Sequence, residues 1–488
     1  MDAASGEADE LNHPIYRLPM KTKVITLVLA CSGLCAVVLA KDYSPAEIEE
    51  RSIHRRAVEA VIWGMPAVNT DLMLQEMLAK TGGKVNEIVY WSRPVDWHNQ
   101  TLTPNPDAIY FMIFYNTKET GPLVIDVPPA DDGIFAGNID TVWQMPVEDV
   151  GPYGADQGKG GKYLILPPNQ KDEPPPGYFV LRPDTYTGYA LIRSNLKSHS
   201  EEDIAAAVRY GKRLKVYLLS QAANPPETKF TDAKDVLYDS TIPYDFRFFQ
   251  SLDRVIQADP WLTRDKAMID PLKSIGIEKG KPFNPSPATV ATLNAAAVEA
   301  HAFLEQMYEK GFPPYFAHAY WAMPAWPALV MAGSSGYAET DIYPVDARAL
   351  TYSIGYIGIK RLGTAQFYLI SGKDHNGRAL EGSKTYRLVV PPKAPTSQYW
   401  SVTVYDRQTH ALVKGLDRAS RASNASELKQ NADGSVDVYF GPKAPTGQES
   451  NWVPTDAKRK FELLFRVYGP EKAFFEKKWP LPDVEEVK

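Results

Sequence analysis

One device occurs three times in this chain and constrains its fold more than any other feature. Each copy has a β-rich run, a Pro-Pro pair, a short polar or proline-rich loop, an aromatic residue and a second β-rich run. The copies are LVIDVPPADDGIFAGNID (123–140), YLILPPNQKDEPPPGYFVL (163–181) and YRLVVPPKAPTSQYWSVTV (386–404). Because proline has no N–H to give to a β-ladder, a proline pair ends a strand at the rim of a sheet. Each copy therefore predicts a strand-to-strand connection.

The spacing of the three copies predicts two β-sandwich-like domains. Two copies lie near the N-terminal third of the chain and one lies near its C-terminus. Between them the hydrophobic period changes to that of helices, which are predicted at 204–221, 245–257, 288–309 and 345–360. We therefore expect an α+β fold in which a helical layer lies between the two sandwiches.

The same pattern sets the expected domain boundaries. An N-terminal extension and signal peptide should occupy residues 1–40, an N-terminal helix with the first sandwich 41–221, the helical region 222–365 and the C-terminal sandwich 366–488. Ser44 and Pro45 suit the start of the N-terminal helix. Gly64 and Pro66 are expected to kink or end that helix.

The N-terminal sequence is built like an export signal. From Met20 it has two lysines, an uncharged run over 24–40 and the sequence Val-Leu-Ala before Lys41. This pattern predicts cleavage after residue 40 and a periplasmic or secreted protein. A membrane anchor and a lipoprotein signal ending at Cys31 are the alternatives. The first nineteen residues carry acids where a signal is basic, so translation is expected to begin at Met20.

Composition excludes some functions. The two cysteines, Cys31 and Cys35, fall in the expected signal, so the exported chain would have no thiol. The net charge is -6, from 53 basic and 59 acidic residues without a basic block, so nucleic acid is not an expected partner. Membrane contact is expected only through an uncleaved signal. A homo-oligomer is compatible with the sequence.

Known catalytic signatures are missing. The sequence has no Gly-x-Ser-x-Gly elbow, no phosphate-binding glycine loop and no His-Glu-x-x-His helix, and its histidines are scattered singly. No metal site is predicted, and the cofactor is unknown.

The best local candidate for a site is WHNQTLTPNPDAIYFMIFY (97–115). Two prolines restrict the backbone around Asn105, and Asp107 lies where this loop enters an apolar strand that also carries Tyr110. Rigidly held polar groups at a strand mouth are suited to ligand binding. The alternative is an Asx turn in which Asp107 caps its own backbone.

A second group of candidates follows the first Pro-Pro copy. Strand alternation over 139–143 places Asp140 with Val142 on one face and Trp143 on the opposite one. The glycine-rich segment 151–168 is either a mobile loop or a lid that carries Tyr153 and Lys162. Asp107, Asp140 and Lys162 are the predicted catalytic residues, and the predicted ligand-binding residues are Asn105, Tyr110, Trp143, Tyr153 and Tyr405.

Tyr405 belongs to the strand that follows the third Pro-Pro copy. Trp400, Val402 and Val404 alternate there with Ser401, Thr403 and Tyr405, which predicts one apolar face and one polar-aromatic face. The polar-aromatic face is either plain surface or the wall of a wet cavity whose hydroxyl groups orient a ligand.

Several motifs together resemble two known families. TPNPDAIYFMIFYNTKETGPLVIDVPP and GGKYLILPP resemble the exported bacterial proteins of domain-of-unknown-function family 1254, and YWSVTVYDRQTHALV and KKWPLPDV resemble the companion family 1214. The resemblance implies two jelly-roll-like sandwiches with helices between them and no settled mechanism. Where family 1254 has a Thr-Leu pair, this chain has Ala108 and Ile109, so a hydroxyl role at position 108 is lost.

Two functions follow from these features. The first is an exported enzyme that acts on a small organic or oligosaccharide substrate by general acid-base chemistry. The second is a non-catalytic periplasmic protein that binds such a ligand or a carbohydrate. We place the enzyme first because two domains and a helical layer offer an enclosed cavity, although such folds host both functions.

Overall fold

Both helices and strands occur in the part of the chain that the computed structural model describes, which is residues 42–355, 358, 360, 361, 363 and 365–487. The α-helices are α1 Pro45–Glu76, α2 Thr117–Thr120, α3 Glu201–Gly211, α4 Phe246–Ala258, α5 Ile269–Ser274, α6 Pro287–Lys310, α7 Pro327–Ser334, α8 Val345–Ile354 and α9 Lys472–Phe475. A π-helix (Met77–Thr81) follows α1, and short 3-10 helices cover Leu219–Gln221, Thr263–Met268 and Glu449–Asn451. The expected signal peptide lies outside the described residues.

Twelve strands precede α4. They are β1 Ile88–Tyr90, β2 Asn99–Gln100, β3 Ala108–Asn116, β4 Leu123–Val127, β5 Phe135–Thr141, β6 Pro146–Val150, β7 Gly161–Ile165, β8 Phe179–Leu181, β9 Thr187–Asn195, β10 Lys215–Leu218, β11 Phe230–Asp232 and β12 Tyr238–Asp239. They form a six-stranded sheet in the order β11-β1-β3-β9-β5-β6, a four-stranded sheet in the order β10-β4-β7-β8, and a pair, β12-β2.

Eight strands follow α8 and form two further open sheets. They are β13 Gln366–Ser371, β14 Thr385–Val390, β15 Thr396–Asp406, β16 Ser420–Ala422, β17 Val436–Gly441, β18 Trp452–Pro454, β19 Phe461–Pro470 and β20 Glu485–Val487. The sheet orders are β13-β19-β15-β16 and β18-β17-β14-β20. The fold is therefore a mixed α+β arrangement of several sheets and helices.

The three Pro-Pro pairs end strands, as the sequence predicts. They follow β4, β7 and β14 within one residue, and all three strands belong to four-stranded sheets. The chain crosses to the other sheet after β4 and after β14, whereas β7 is followed by its parallel neighbour β8. Each proline pair therefore lies at the end of its strand, where the chain leaves the β-ladder.

The six-stranded sheet is buried on both faces at β3, which explains the uninterrupted apolar sequence of that strand. Ile109, Phe111 and Ile113 share a core with the β10-β4-β7-β8 sheet. Met112 and Phe114, on the other face, pack in a core that includes α1, α4 and α6. A strand with two buried faces needs no polar alternation.

The last two sheets share a core of their own. Trp400 and Val402 from β15 and Phe465 from β19 pack there against side chains of β14 and β17. Ala46–Lys488 forms one compact unit. The predicted boundaries at 221/222 and 365/366 within it remain predictions.

Three details differ from the sequence expectations. Helix α1 does not end at Pro66, because the residues from Ala60 to Asp71 are buried on every side, so packing outweighs the missing N–H. The predicted helix 204–221 ends at Gly211, and Lys215–Leu218 instead forms β10, which pairs with β4. The predicted helix 345–360 ends at Ile354.

Candidate functional site

A loop in the segment that resembles family 1254 lies against a sheet in the segment that resembles family 1214. This docking loop, residues 103–107, precedes β3 and meets the polar face of β15 and β19. Its carbonyl groups accept hydrogen bonds from that face: Thr103 from Arg466 Nη2 at 2.8 Å, Pro104 from the Tyr405 hydroxyl at 2.6 Å and Asp107 from the Tyr399 hydroxyl at 3.0 Å. The polar-aromatic face predicted for β15 is therefore buried against the docking loop and is not plain surface.

Asn105 organises the loop from within. Its side-chain oxygen accepts from the Asp107 N–H at 3.1 Å, and its amide nitrogen donates to the Tyr468 hydroxyl at 2.8 Å. The Asn105 N–H donates to the Tyr110 hydroxyl at 2.8 Å. The Asx turn expected here is therefore made by Asn105 and not by Asp107.

A narrow cavity lies beside the docking loop, and we call it the Arg–Tyr cavity. Its polar lining includes Thr103, Tyr110, Arg193, Tyr368 and Arg466, and the cavity volume is about 30 Å³. Apolar side chains from β3, β9, β13 and β19, together with α8 residues, close the remainder. The cavity thus has the mixed lining of a small-ligand site, with room for about two water-sized groups.

Arg193 reaches this cavity from the centre of the six-stranded sheet. It lies on β9 directly opposite Tyr110 on β3, and its Nε donates to the Tyr110 hydroxyl at 3.3 Å. The side chain is buried, and its Nη1 has no hydrogen-bond partner. Arginine keeps its charge in proteins, so one N–H group of a buried cation is left unsatisfied.

Arg466 reaches the cavity from β19, the strand that lies between β13 and β15. Its Nη1 donates to Thr403 at 2.9 Å, and its Nη2 donates to the Tyr405 hydroxyl at 2.6 Å as well as to the docking loop. The guanidinium carbon lies 5.2 Å from the centre of the Tyr368 ring. Its Nε is buried without a partner.

The two arginines of the cavity form no direct ion pair with an acidic side chain of the described residues. Among the described residues, no carboxylate lies within 4.0 Å of the guanidinium of Arg193 or Arg466. The Tyr110 hydroxyl already accepts two N–H groups, so its own hydrogen is free to donate. Buried charge without a counter-ion is costly, and this wall offers mainly donors. The arrangement suits an anion.

Thr103 has a strained backbone at the cavity wall. Its φ is 40°, in the left-handed region that β-branched residues rarely adopt. The conformation is held by the Arg466 bond to its carbonyl and by a 2.7 Å bond from its N–H to the His410 carbonyl. Strain of this kind clusters at ligand sites, where surrounding bonds fix it.

The side chain of Asp107, at the end of the docking loop, belongs to a polar cluster that is separate from the Arg–Tyr cavity. Its Oδ1 accepts from the Ser420 hydroxyl at 2.8 Å and lies 3.5 Å from His199 Nε2, while its Oδ2 is buried without a partner. Arg421 is close enough to interact electrostatically with it, and burial, with the nearby charge of Arg418, lowers the pKa of Arg421 to about 10. Asp107 therefore joins the two family-like segments and does not line the Arg–Tyr cavity.

The predicted ligand-binding residues divide into two groups. Tyr110 lines the cavity, and Asn105 and Tyr405 lie directly behind its wall, where they bond Tyr110 and Arg466 respectively. Burial raises the pKa of Tyr405, so its hydroxyl stays neutral and donates to the docking loop. The structure thus brings three of the predicted residues together around one cavity.

Asp140 and Trp143 lie elsewhere. Asp140 is fully buried, accepts a hydrogen bond from Asn138 and has a pKa well above its ordinary value, because of burial and the nearby charge of Asp149. Strand β5 ends at Thr141 in a turn, so the alternation predicted over 139–143 stops there. Trp143 instead joins Val142 in the helical core, 4.6 Å from the Trp63 ring.

Lys162 and Tyr153 are also away from the Arg–Tyr cavity. Lys162 is exposed on β7, opposite Asp126 on β4, and its amine lies 6.0 Å from the centre of the Tyr178 ring. Tyr153 is half-buried in the turns before β7. The glycine-rich segment 151–168 thus contains β7, and Lys162 on this strand does not reach towards Asp107 or Asp140.

The two arginines were missed by the sequence interpretation. Each interrupts an apolar strand, in YALIRSN for Arg193 and in FELLFRVYG for Arg466. A charged residue inside such a run is rarely buried without a partner, so this interruption is a usable signal for a site.

Other types of site receive no support from the described part of the chain. No group of three or more His, Cys, Asp or Glu side chains is placed there to hold a metal ion. No described helix is both long and apolar enough to cross a membrane.

Two family models match parts of the chain. Residues 85–218 match the family described as Protein of unknown function (DUF1254), and residues 365–472 match Protein of unknown function (DUF1214). The chain therefore carries the two domains in the order that the sequence resemblance implies, and that prediction is confirmed. Tyr110 and Arg193 lie in the first match, and Tyr368 and Arg466 lie in the second.

One solved structure has a similar fold. The VPA0106 protein from Vibrio parahaemolyticus is 19% identical, with a TM-score of 0.57 over 89% of this chain and 100% of that one. An uncharacterized protein from Burkholderia cenocepacia is 12% identical, with a TM-score of 0.40 over 90% of this chain and 96% of that one. The comparison with curated proteins finds no significant match.

Proposed function

We propose that the protein binds a small organic anion, such as a carboxylate, in the Arg–Tyr cavity. The observation that carries this proposal is the pair of buried guanidinium groups, Arg193 and Arg466, which line one cavity without a carboxylate partner. An anion there would accept from the unsatisfied N–H groups and from the Tyr110 hydroxyl. Hydrogen bonds between ionised partners are stronger than neutral ones, so such a ligand is favoured over a neutral sugar.

Binding accounts for this cavity better than catalysis does. None of the described residues that line it is His, Asp, Glu, Lys, Ser or Cys, so a base or nucleophile there would have to be a tyrosine or threonine hydroxyl. Asp107, at the end of the docking loop, pairs with His199, and both residues lie outside the cavity lining. We therefore favour the ligand-binding hypothesis over the enzyme hypothesis.

We also propose that the ligand is met outside the cytoplasm, in the periplasm or in the medium. This rests on the uncharged run over 24–40 and its Val-Leu-Ala end. N-terminal sequencing of exported protein should give a chain that begins at Lys41. Recovery of only uncleaved chain in the cytoplasm would contradict export, and an acylated Cys31 would indicate a lipoprotein instead.

The finer architecture belongs to the same proposal. We infer two jelly-roll-like sandwiches, one from the six- and four-stranded sheets before α4 and one from the two sheets after α8, with the helices as a layer against them. The shared cores of each sheet pair support this arrangement. In it, the Arg–Tyr cavity receives one arginine from each sandwich.

The binding proposal can be tested by thermal unfolding with acetate, succinate and phosphate at matched ionic strength. A ligand should stabilise the protein by about 3 kcal/mol at a hundredfold excess over its dissociation constant. Arg193→Gln should abolish this effect and leave the ligand-free protein equally or more stable, because a buried unpaired charge is removed. Arg348→Gln is the matched control, since Arg348 is a buried arginine of the helical core, bonded to Tyr343.

The outcomes separate the alternatives. Stabilisation by succinate or acetate that is lost in Arg193→Gln and kept in Arg348→Gln supports the proposal. An equal response of both variants, or no response of the wild type to any of the three anions, contradicts it.

A further inference from the structure

A second, larger cavity lies on the other side of Ile370 from the Arg–Tyr cavity. We call it the outer pocket. It is formed by the end of α6, the segment 311–322, the end of β13 with the chain after it, and three residues at the end of β15 and the start of β19, and its volume is about 220 Å³. Ile370 lines both cavities, but the polar walls of the two have no residue in common.

The walls of the outer pocket are largely apolar. Phe312, Tyr320, Leu380 and Phe461 are among its lining residues, and Tyr320 is a large side chain that is 42% exposed. A concave surface with aromatic and aliphatic walls is typical of a small-molecule site. The ligand body is therefore expected to be apolar.

A buried arginine forms the polar end of this pocket. The side chain of Arg407 is only 9% exposed, and its guanidinium carbon lies 3.5 Å from the centre of the Tyr308 ring. It pairs with Glu305 at 3.1 Å and with Glu309 at 3.4 Å, and the side chain of Glu309 is 59% exposed. The long, exposed pair with Glu309 is weak, so a ligand carboxylate can replace it.

The Tyr308 ring that supports Arg407 is held rigidly. The Tyr308 hydroxyl donates to Glu462 at 2.5 Å, and the other oxygen of Glu462 is 2.7 Å from His410 Nδ1. Glu462 is completely buried. Because the Tyr308 hydroxyl is hydrogen-bonded to Glu462, the ring keeps its face towards Arg407 and fixes the position of the guanidinium.

The rim of the pocket is positively charged. Lys310, Lys373 and Lys460 join Arg407 in the lining, whereas Glu309 is the only acid among the described lining residues. The Lys373 amine donates to the Glu309 carbonyl at 3.0 Å. Such a rim attracts anions and disfavours cationic ligands.

We propose that the outer pocket binds a monocarboxylate with an apolar body, such as an aromatic or medium-chain acid. Its carboxylate is received by Arg407, with Lys460 at the rim, and its body packs on Phe312 and Leu380. This proposal does not rest on the one for the Arg–Tyr cavity, whose described lining has no lysine.

Calorimetric titration of the full chain with benzoate and with hexanoate tests this assignment. Ala379 is a half-buried residue of the lining, so Ala379→Trp fills the pocket while it leaves the charges unchanged. Binding of one equivalent that weakens by about tenfold or more in Ala379→Trp is expected, since loss of the packed body removes at least about one decade of affinity. Unchanged melting shows that this variant is folded.

Charge variants place the carboxylate. Lys460→Gln should weaken binding several-fold, whereas Lys458→Gln should not, because Lys458 is equally exposed but lies outside the lining. Arg193→Gln should leave benzoate and hexanoate binding unchanged. This last result separates binding of benzoate and hexanoate in the outer pocket from anion binding in the Arg–Tyr cavity, so the two proposals can fail independently.

Three results would overturn the assignment. One is the absence of binding of either acid at about 10 mM, where even a millimolar site is mostly filled. A second is full binding by Ala379→Trp. The third is an equal loss in Lys458→Gln or a loss in Arg193→Gln, which would indicate non-specific attraction or binding in the Arg–Tyr cavity.

Discussion

The Asn105 side chain donates to the Tyr468 hydroxyl across 2.8 Å, although the two residues are 363 positions apart. Asn105 belongs to the DUF1254 match and Tyr468 to the DUF1214 match. One amide group thus shapes the docking loop and ties it to a strand of the other segment. The residue that the sequence singles out as a ligand anchor is therefore a positioning residue of the cavity wall.

Asn105→Ala should destabilise the protein. The change leaves the Asp107 N–H without its acceptor and removes a bond to Tyr468, and unsatisfied buried groups cost about 1–3 kcal/mol. Urea unfolding measures the loss. Asn431→Ala is the control, since Asn431 is exposed in a turn and bonds only Ser435 nearby, so its removal should cost less than about 0.5 kcal/mol. Equal losses would argue against a special role for Asn105.

Tyr368 and Tyr468 form a matched pair that separates binding from stability. Tyr368 lines the Arg–Tyr cavity, and its hydroxyl makes only a 3.4 Å contact, with the Tyr468 hydroxyl. Tyr368→Phe should therefore change stability little but weaken anion binding several-fold, through loss of one donor worth about 1 kcal/mol. Tyr468→Phe should lower stability, because the Asn105 amide loses its 2.8 Å hydrogen bond and keeps only the 3.4 Å one to the Tyr399 hydroxyl. Calorimetric titration and urea unfolding of both variants check this, and the reverse result would exclude Tyr368 from the site.

Strand patterns were the most informative part of the sequence. The alternation in β15 separates Trp400 and Val402, which enter a core, from Ser401 and Thr403, which face the docking loop side. Alternation depends only on backbone geometry, so it can be predicted locally. What covers each face depends on contacts between distant segments, and no local pattern encodes those.

The errors have the same origin. Lys215–Leu218 has a helix-compatible composition but pairs with β4, so tertiary pairing overrides local propensity. Lys162 was expected to reach a pocket from a flexible loop, yet pairing of β7 with β4 leaves it on the exposed side. Two arginines that complete the cavity come from strands far apart in the chain, so their sequence positions do not show that they meet.

Asp107→Asn should act on stability and not on anion binding. The asparagine oxygen can still accept from Ser420, but the negative charge near Arg421 is lost, so a buried cation becomes less well compensated. A loss of about 1–3 kcal/mol in urea unfolding is expected, with an unchanged dissociation constant for succinate. If stability is unchanged and binding is lost, Asp107 belongs to the binding site after all.

Asp140 should give the protein a pH-dependent loss of stability that Asp140→Asn removes. Burial, followed by the charge of Asp149, raises the pKa of the folded-state carboxyl well above its value of about 3.9 in an unfolded chain. Between these two values the native state binds more protons than the unfolded state, so this group's contribution falls as pH rises. The asparagine does not titrate. The variant should therefore gain stability relative to the wild type from about pH 4 upwards and match it in more acidic solution.

Urea unfolding of both proteins across the range from about pH 4 to about pH 8 measures the difference in unfolding free energy. Asp374→Asn supplies a control of opposite sign. Burial would raise the pKa of Asp374, but hydrogen bonds from the Arg378 and Asn376 N–H groups and from the Arg378 side chain outweigh burial and lower it. The contribution of Asp374 is thus present above its unfolded pKa and lost as pH falls. Asp374→Asn should be least stable relative to the wild type at neutral pH and approach it in acid. A difference for Asp140→Asn that does not grow with pH would mean that Asp140 is ionised in the folded protein.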